Sequence, residues 1–350
     1  MATATVPTAF SRINEADFPQ KGGLRQQLEF MLHYAIRASS FYDSQPWQFE
    51  INDELDVINI YADRSRWLKT VDPSKREMSL SLGCAMENLL IAIDYFGLGH
   101  KNVAYFPDPN NDDWAARITI GAARESVVPR PRHLLSAINH SHTFISSFKS
   151  DPISQTDLSE TLGFIDFFIY EDTAMSHRVT INTVEDAARR KALVEFFSRG
   201  DVIWFSNSRF RSELSGLLSN GQYYDPVLSE EIKNLKSDPD LANKVATKET
   251  AIVASAPMLG ILCANFDDLT CAVKVGQTYE RIALEAKPRG IGVYPMCQLI
   301  ELHEMRARLN ELIPDLKGIP QMVFAMGYIA EKVERELVPR IPLEDVIRHH

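Results

Sequence analysis

The sequence predicts an α+β protein made of two tandem, related halves. Three observations carry this expectation. Segments with the apolar period of helices stand beside short stretches that alternate apolar and polar residues, the period of strands. Gly83, Glu87, Gly97 and Gly99 recur as Gly276, Glu280, Gly290 and Gly292, at the same intervals of 4, 14 and 16 residues from the leading glycine. Each copy runs helix, glycine stop, strand, and "ITIG" ending at Gly121 is echoed by "FAMG" ending at Gly327. An early glycine lets a helix approach another backbone closely, and a terminal one supplies a left-handed cap.

Taken in order, residues 1–23 read as an irregular arm. The first half spans 24–130. It opens with a helix whose apolar face is Leu24, Leu28, Met31, Leu32, Ala35 and Ile36. Pro46 cannot continue that helix and disfavours helix at Gln45. "WQFEI" and "DVINIYA" then alternate, as an antiparallel pair turning at "NDE". Asp63, Arg64 and Arg66, and the pair Arg76/Glu77, read as salt-bridged turn and helix-start residues. A long apolar helix over 79–97 precedes strands near 102–106 and 116–121. "RESVVPRPRH" is proline-rich and aperiodic, so the halves divide there. The second half spans 131–350, with its matching helix at 272–289. Two further helices are expected within "TVEDAARRKALVEFFSRGDVIWFSNSRFRSELSGLLS". The stretch near 206–246 is largely polar and irregular and reads as a lid-like insert, with Tyr223 and Tyr224 as its aromatic contacts.

The bulk numbers fit this plan. A chain of 350 residues, 45% hydrophobic and 24% charged, has ordinary globular composition and can bury a large core. Its formal net charge of −10 argues against a general binder of nucleic acid or anionic membrane. No apolar run approaches the ~20 residues that span a bilayer. The start lacks the basic-then-apolar order of a signal peptide. A cytoplasmic protein is expected. Cys84, Cys263, Cys271 and Cys297 form no CxxC pair and read as free thiols, mostly buried. His140 and His142 have no third ligand at suitable spacing, so no metal is expected. No P-loop, Ser-His-Asp order or Gly-x-Gly-x-x-Gly appears.

The stretch "RASSFYDSQPWQF", Arg37 to Phe49, concentrates more hydrogen-bonding side chains than a turn needs. It resembles the Pro-Ser-Ser-x-x-Asn-x-Gln-Pro-Trp segment of nitroreductase-like flavoproteins. "DRSRWLKTVDPSKREMSLSLGCAMENL", "GIGVYPMCQ" and "PRIPLEDVI" also resemble that family, in its long single-chain, Acg-type branch. The resemblance covers most of 24–348. It implies an antiparallel sheet wrapped by helices, a chain mimicking a fused dimer, and one FMN between the halves. NAD(P)H would be the donor and a nitro- or quinone-like small molecule the acceptor. Ser39, Ser40, Asp43, Ser44 and Gln45 would line the flavin edge, with Arg37 at the phosphate or the rim. Pro295, Met296, Cys297 and Gln298 match a loop whose backbone touches the ring. Arg340 matches an arginine on the FMN phosphate, a task suited to its bidentate fork.

The chain departs from the family twice. Asp43 stands where Asn is usual, and "NHSHT", including His140 to Thr143, stands where a basic cluster is usual. Weak or pH-dependent FMN binding, or a remodelled site, follows. No acid–base residue is expected, since the cofactor carries the chemistry. The alternatives are a flavin-sequestering protein with little turnover and a homologue that has lost the cofactor. The fused chain is expected as monomer or homodimer.

Overall fold

The structure, a computed structural model, describes residues 12–122, 130–139, 144–165, 177–219, 235, 237–333 and 340–348. Helix α1, Leu24–Ala35, buries Leu28, Met31, Leu32, Tyr34 and Ala35 on one face, as its spacing requires. Strands β1 (Trp47–Asn52) and β2 (Val57–Ala62) pair antiparallel from Trp47↔Ala62 to Asn52↔Val57. β3 (His100–Tyr105) and β4 (Trp114–Ile120) complete a four-stranded sheet in the order β1-β2-β4-β3. β1 alternates buried and half-buried residues, but β2 is buried on both faces. The second face of β2 is covered by long polar side chains. Glu50 accepts hydrogen bonds from Asn59 and Tyr61, and the Arg348 guanidinium lies over the Tyr61 ring.

Two helices form the centre. α2 (Arg76–Tyr95) is buried from Arg76 to Ile93, on every side. The helix Leu269–Ala286 is buried almost as completely. A helix that is apolar or packed all round belongs inside a protein. The two cross at the glycines picked out by the repeat. A Cβ on Gly83 would stand 2.0 Å from the Val273 carbonyl oxygen, and one on Gly276 would stand 1.9 Å from that of Leu80. Val273 precedes Gly276 by three residues, and Leu80 precedes Gly83 by three. The contact is therefore reciprocal, as at a two-fold axis.

The second sheet is also antiparallel. Strands β5 (Phe144–Phe148), β6 (Val179–Val184), β7 (Met258–Ala264), β8 (Ile291–Pro295) and β9 (Ile319–Val333) run in the order β5-β9-β7-β6, with β8 also on β9. The chain's end returns to the first sheet. Phe49 bridges Ile347, and Arg348 N–H donates to the Phe49 carbonyl at 2.7 Å.

The insert differs from its expected irregularity. Ser208–Ser219 is a helix, as expected, but so is Leu241–Ser255. Phe210, Leu214, Leu217, Leu235, Leu241 and Val245 form a small core with Leu68 and Val71, from the segment between β2 and α2. Apolar residues scattered among polar ones over 210–245 hid this core, because a helix in a satellite cluster needs only one apolar contact per turn. Residues 220–234, with Tyr223 and Tyr224, lie outside the described residues, as do 140–143.

The Gly83 contact is backbone against backbone, so an added methyl forces helices apart rather than moving a side chain. Gly83→Ala is expected to lower stability in urea unfolding by about 2–3 kcal/mol. Gly216→Ala, in an exposed helix with nothing within 4 Å, is expected to raise it by up to ~1 kcal/mol.

Candidate cofactor site

The segment after α1 is a tight, irregular strap. Tyr42, Asp43 and Gln45 all have left-handed backbone, with φ of 49°, 46° and 49°. None is glycine, so each costs roughly 1–2 kcal/mol. Local hydrogen bonds hold the shape. Ser40 Oγ accepts from Gln45 N–H at 3.0 Å, and Ser81 Oγ accepts from Phe41 N–H at 3.1 Å. Gln45, almost fully buried, accepts from Ile341 N–H through Oε1 at 3.1 Å. Ser44 is buried, and Trp47 is core, wholly enclosed. The polar side chains of this strap thus fix its own backbone and clamp the C-terminal tail.

That clamp brings Arg340 in. Its Nη1 lies 2.6 Å from Asp43 Oδ1, with both groups largely buried. The family's usual Asn is here an acid whose charge is balanced by this arginine. Arg37 donates to Asn139 Oδ1 at 2.7 Å, and burial pulls its pKa down to about 10, with Arg340 pushing the same way. Lys287 donates to the Ala137 carbonyl at 3.2 Å; burial lowers its pKa, Glu280 opposes that and Arg340 adds to it. Glu280, buried, accepts from Ser39 N–H at 3.2 Å, and burial raises its pKa despite Lys287. Three cations, Arg37, Lys287 and Arg340, therefore gather against the carboxylates of Asp43 and Glu280. They adjoin the end of the helix His133–Asn139, just before the described chain breaks off at 140–143. Lys287 has no counterpart in the sequence reading. Its one visible signal is the step of seven residues from Glu280, two helical turns on the same face.

The loop after β8 is divided. Pro295 is exposed at the strand's end, and Met296 is buried in the core of the second sheet. Cys297 occupies the N-cap position of the short helix Gln298–Glu301. Its sulfur and the carboxyl oxygens of Glu77 and Glu301 lie within 4.8 Å of one another. Tyr42 O–H donates to both Glu301 oxygens, at 3.2 and 3.3 Å. Gln298 turns the other way, donating to Asp201 Oδ1 at 2.5 Å and Glu249 at 3.4 Å. The structure thus gathers Arg37, Ser39, Ser40, Asp43, Gln45 and Arg340 at one junction, with Cys297 beside it through Tyr42. Met296 and Gln298 face away. Burial pushes Glu301 up to about 7, although Glu77, Arg76 and Tyr42 oppose it. Arg76 pairs with Glu77 at 3.0 Å and Arg66 with Asp63 at 3.2 Å, the structural roles expected of them. Cys84, Cys263 and Cys271 are free and buried, while Cys297 is half-buried.

No family model matches the chain. Two curated proteins of Mycobacterium tuberculosis align along most of it. One, provisionally named an NAD(P)H nitroreductase, is 24% identical over 311 residues, 85% of this chain and 84% of its own length. The other, Acg, provisionally named in the same way, is 22% identical over 318 residues, 89% of this chain and 92% of its own. The chain is thus distantly similar, over most of its length, to curated nitroreductase-like proteins. Among solved structures, the FMN-dependent nitroreductase NfnB of Mycobacterium smegmatis, in complex with NADPH, aligns with 63% of this nitroreductase-like chain and 98% of its own, at 15% identity and a TM-score of 0.43. No helix of the described residues is long and apolar enough to cross a membrane.

The raised acid at Glu301 sets a pH dependence in this nitroreductase-like chain. Its ordinary value is 4.5 and its folded value about 7, so the folded state holds more protons than the unfolded between those limits. Stability is then fully present below the lower limit and is lost as pH rises through the upper one. Thermal melts at about pH 5 and about pH 8 are expected to show a fall in Tm for wild type and a smaller fall for Glu301→Gln.

Proposed function

We propose that this chain is an FMN-dependent oxidoreductase that takes hydride from NAD(P)H and reduces a nitro- or quinone-like small molecule. The observation that carries this reading is the convergence of Arg37, Lys287 and Arg340 beside the strap 39–45, where the chain's end meets its beginning. Cations gathered at one largely enclosed junction suit an anionic phosphate. They stand in for the basic cluster that the sequence lacks at 140–143. Arg37, Lys287 and Arg340 would hold the phosphate, Ser39 and Ser40 the polar edge of the ring, and the backbone of 295–297 its other side. FMN supplies the electron carrier, and the protein binds, orients and tunes it. Glu280 fixes the backbone of Ser39, and Asp43 orients Arg340.

The reading includes tandem halves with a single site. Glu87 and Asp94 follow Gly83 by 4 and 11 residues, the steps at which Glu280 and Lys287 follow Gly276. The mirror position thus carries an acid where Lys287 stands. Arg130 spans it, 3.0 Å from Glu87 and 3.0 Å from Asp94, and Arg281 adds a contact of 3.4 Å to Glu87. An internal ion-pair network lies where a second phosphate would be bound.

One observation favours the flavin-sequestering alternative. Phe210, from the insert, packs edge-on against Tyr42 with ring centroids 5.3 Å apart, so part of the insert lies over the strap. Anaerobic mixing of FMN-loaded protein with NADPH separates the two readings. Rapid bleaching, reversed by 1,4-benzoquinone, is expected; retained yellow colour over minutes would favour sequestration. In an FMN titration Arg340→Ala is expected to weaken binding about ten- to a hundredfold, the loss of one charged hydrogen bond. An unchanged affinity would remove Arg340 from the site.

A further inference from the structure

We propose that two buried carboxyl pairs, Glu77–Glu301 and Asp201–Glu249, form a proton store that supplies the proton consumed when an acceptor is reduced at the adjoining site. This rests on the oxidoreductase reading above. In the first pair carboxyl oxygens of Glu77 and Glu301 lie within 4.8 Å of one another, and in the second a single amide nitrogen, Gln298 Nε2, donates to both Asp201 and Glu249. Two carboxylates held this close in a buried place repel, which favours a proton on one of them. Glu77 Oε2 and Asp201 Oδ2 are buried and meet no N–H or O–H donor among the described residues, so neither is stabilised as an anion by a hydrogen bond at that atom.

The pairs flank the loop expected beside the ring. Glu77 comes from α2, and Glu301 lies four residues after Cys297. Tyr42, from the strap, closes that pair with its O–H. Asp201, from the helix Ala187–Ser206, is wholly enclosed, and Glu249, from Leu241–Ser255, is nearly so. Gln298 Nε2 donates to both, and Tyr294 O–H donates to Glu249 at 3.0 Å. The charged and titratable groups facing the pairs are Arg76, which binds Glu77, with Asp72, Cys297 and Tyr42. Four acids in two adjoining buried pairs, with Arg76 pairing only with Glu77, cannot all ionise in a water-poor setting, where like charges repel strongly. Two shared protons relieve this.

The chemistry balances. A quinone that receives hydride, two electrons and one proton originating in NAD(P)H, becomes a hydroquinone monoanion. Its second proton leaves the Glu77–Glu301 pair, whose O–H bond breaks as the hydroquinone O–H forms. The half-buried Glu301 then takes a proton from solvent, and Asp201–Glu249 lies next in line behind it. Cys297 does not need to change oxidation state.

Glu301→Gln tests this, because the amide keeps the shape and an acceptor for Tyr42 but has no acidic proton. Glu77→Gln is the second variant should the first fold poorly. Infrared difference spectra of the flavin-free protein are expected to show protonated-carboxyl absorption at neutral pH that shrinks in the variant. In stopped flow on FMN-loaded protein, reduction by NADPH serves as the internal reference. Reoxidation by 1,4-benzoquinone is expected to slow by roughly 10²-fold and to lose its pH dependence near neutrality. Reoxidation with the wild-type rate and pH profile would overturn the proposal. So would the absence of protonated carboxyl at pH 7, or one tightly bound divalent metal per chain held by Glu77, Cys297 and Glu301. Failure of NADPH to bleach wild-type protein would instead sink the oxidoreductase reading, and the store's role with it, while leaving the infrared result in place.

Discussion

Gly83 and Gly276 allow two helices to touch backbone to backbone, and the rest of the molecule is arranged around that contact. A side chain at either position would meet a carbonyl oxygen at about half of normal contact distance. The close crossing places the residues that follow each glycine in fixed relation to the segments packed across it. Glu280 reaches Ser39 across the junction, and Glu87 reaches Gln277 and Arg281. Once the crossing is set, side chains at the same helical step differ between the two sides: Lys287 follows Gly276 by eleven residues, while Asp94, paired with Arg130, follows Gly83 by the same step.

The C-terminal tail completes what the helices begin. Gln45 and Asp43 hold Ile341 and Arg340, while Phe49 holds the chain at Ile347 and Arg348. Residues almost 300 positions apart thus make one wall. This gives the left-handed strap a structural purpose. Its backbone strain is stabilised by Ser40, Ser81 and the tail, and in return it presents Tyr42 to Glu301 and Asp43 to Arg340.

Much of this was legible in the sequence. The glycine spacing located both central helices, because a close crossing has a local signature at each partner. The Gln45-Pro46 break and the alternation after Trp47 placed the strap and the first sheet. What was hidden depends on contacts between distant segments. Glu301 is one acid among 47 acidic residues until folding puts it against Glu77 and Tyr42. Lys287 looks like a surface residue before a proline. Gln298 was grouped with the cofactor loop by its neighbours, yet one turn of helix points it at Asp201 instead. The second helix of the insert was missed because Leu241, Val245 and Ile252 face inward as a stripe diluted by polar neighbours, Lys244 and Lys248 on the outside and Glu249 within.

The central claim is that the junction of strap, tail and central helices holds one flavin, while its mirror is closed by Arg130. Saturating the purified chain with FMN, removing the excess and measuring bound flavin against protein by absorbance tests this most directly. One FMN per chain is the expected result. None bound at saturation, or two per chain, would contradict it.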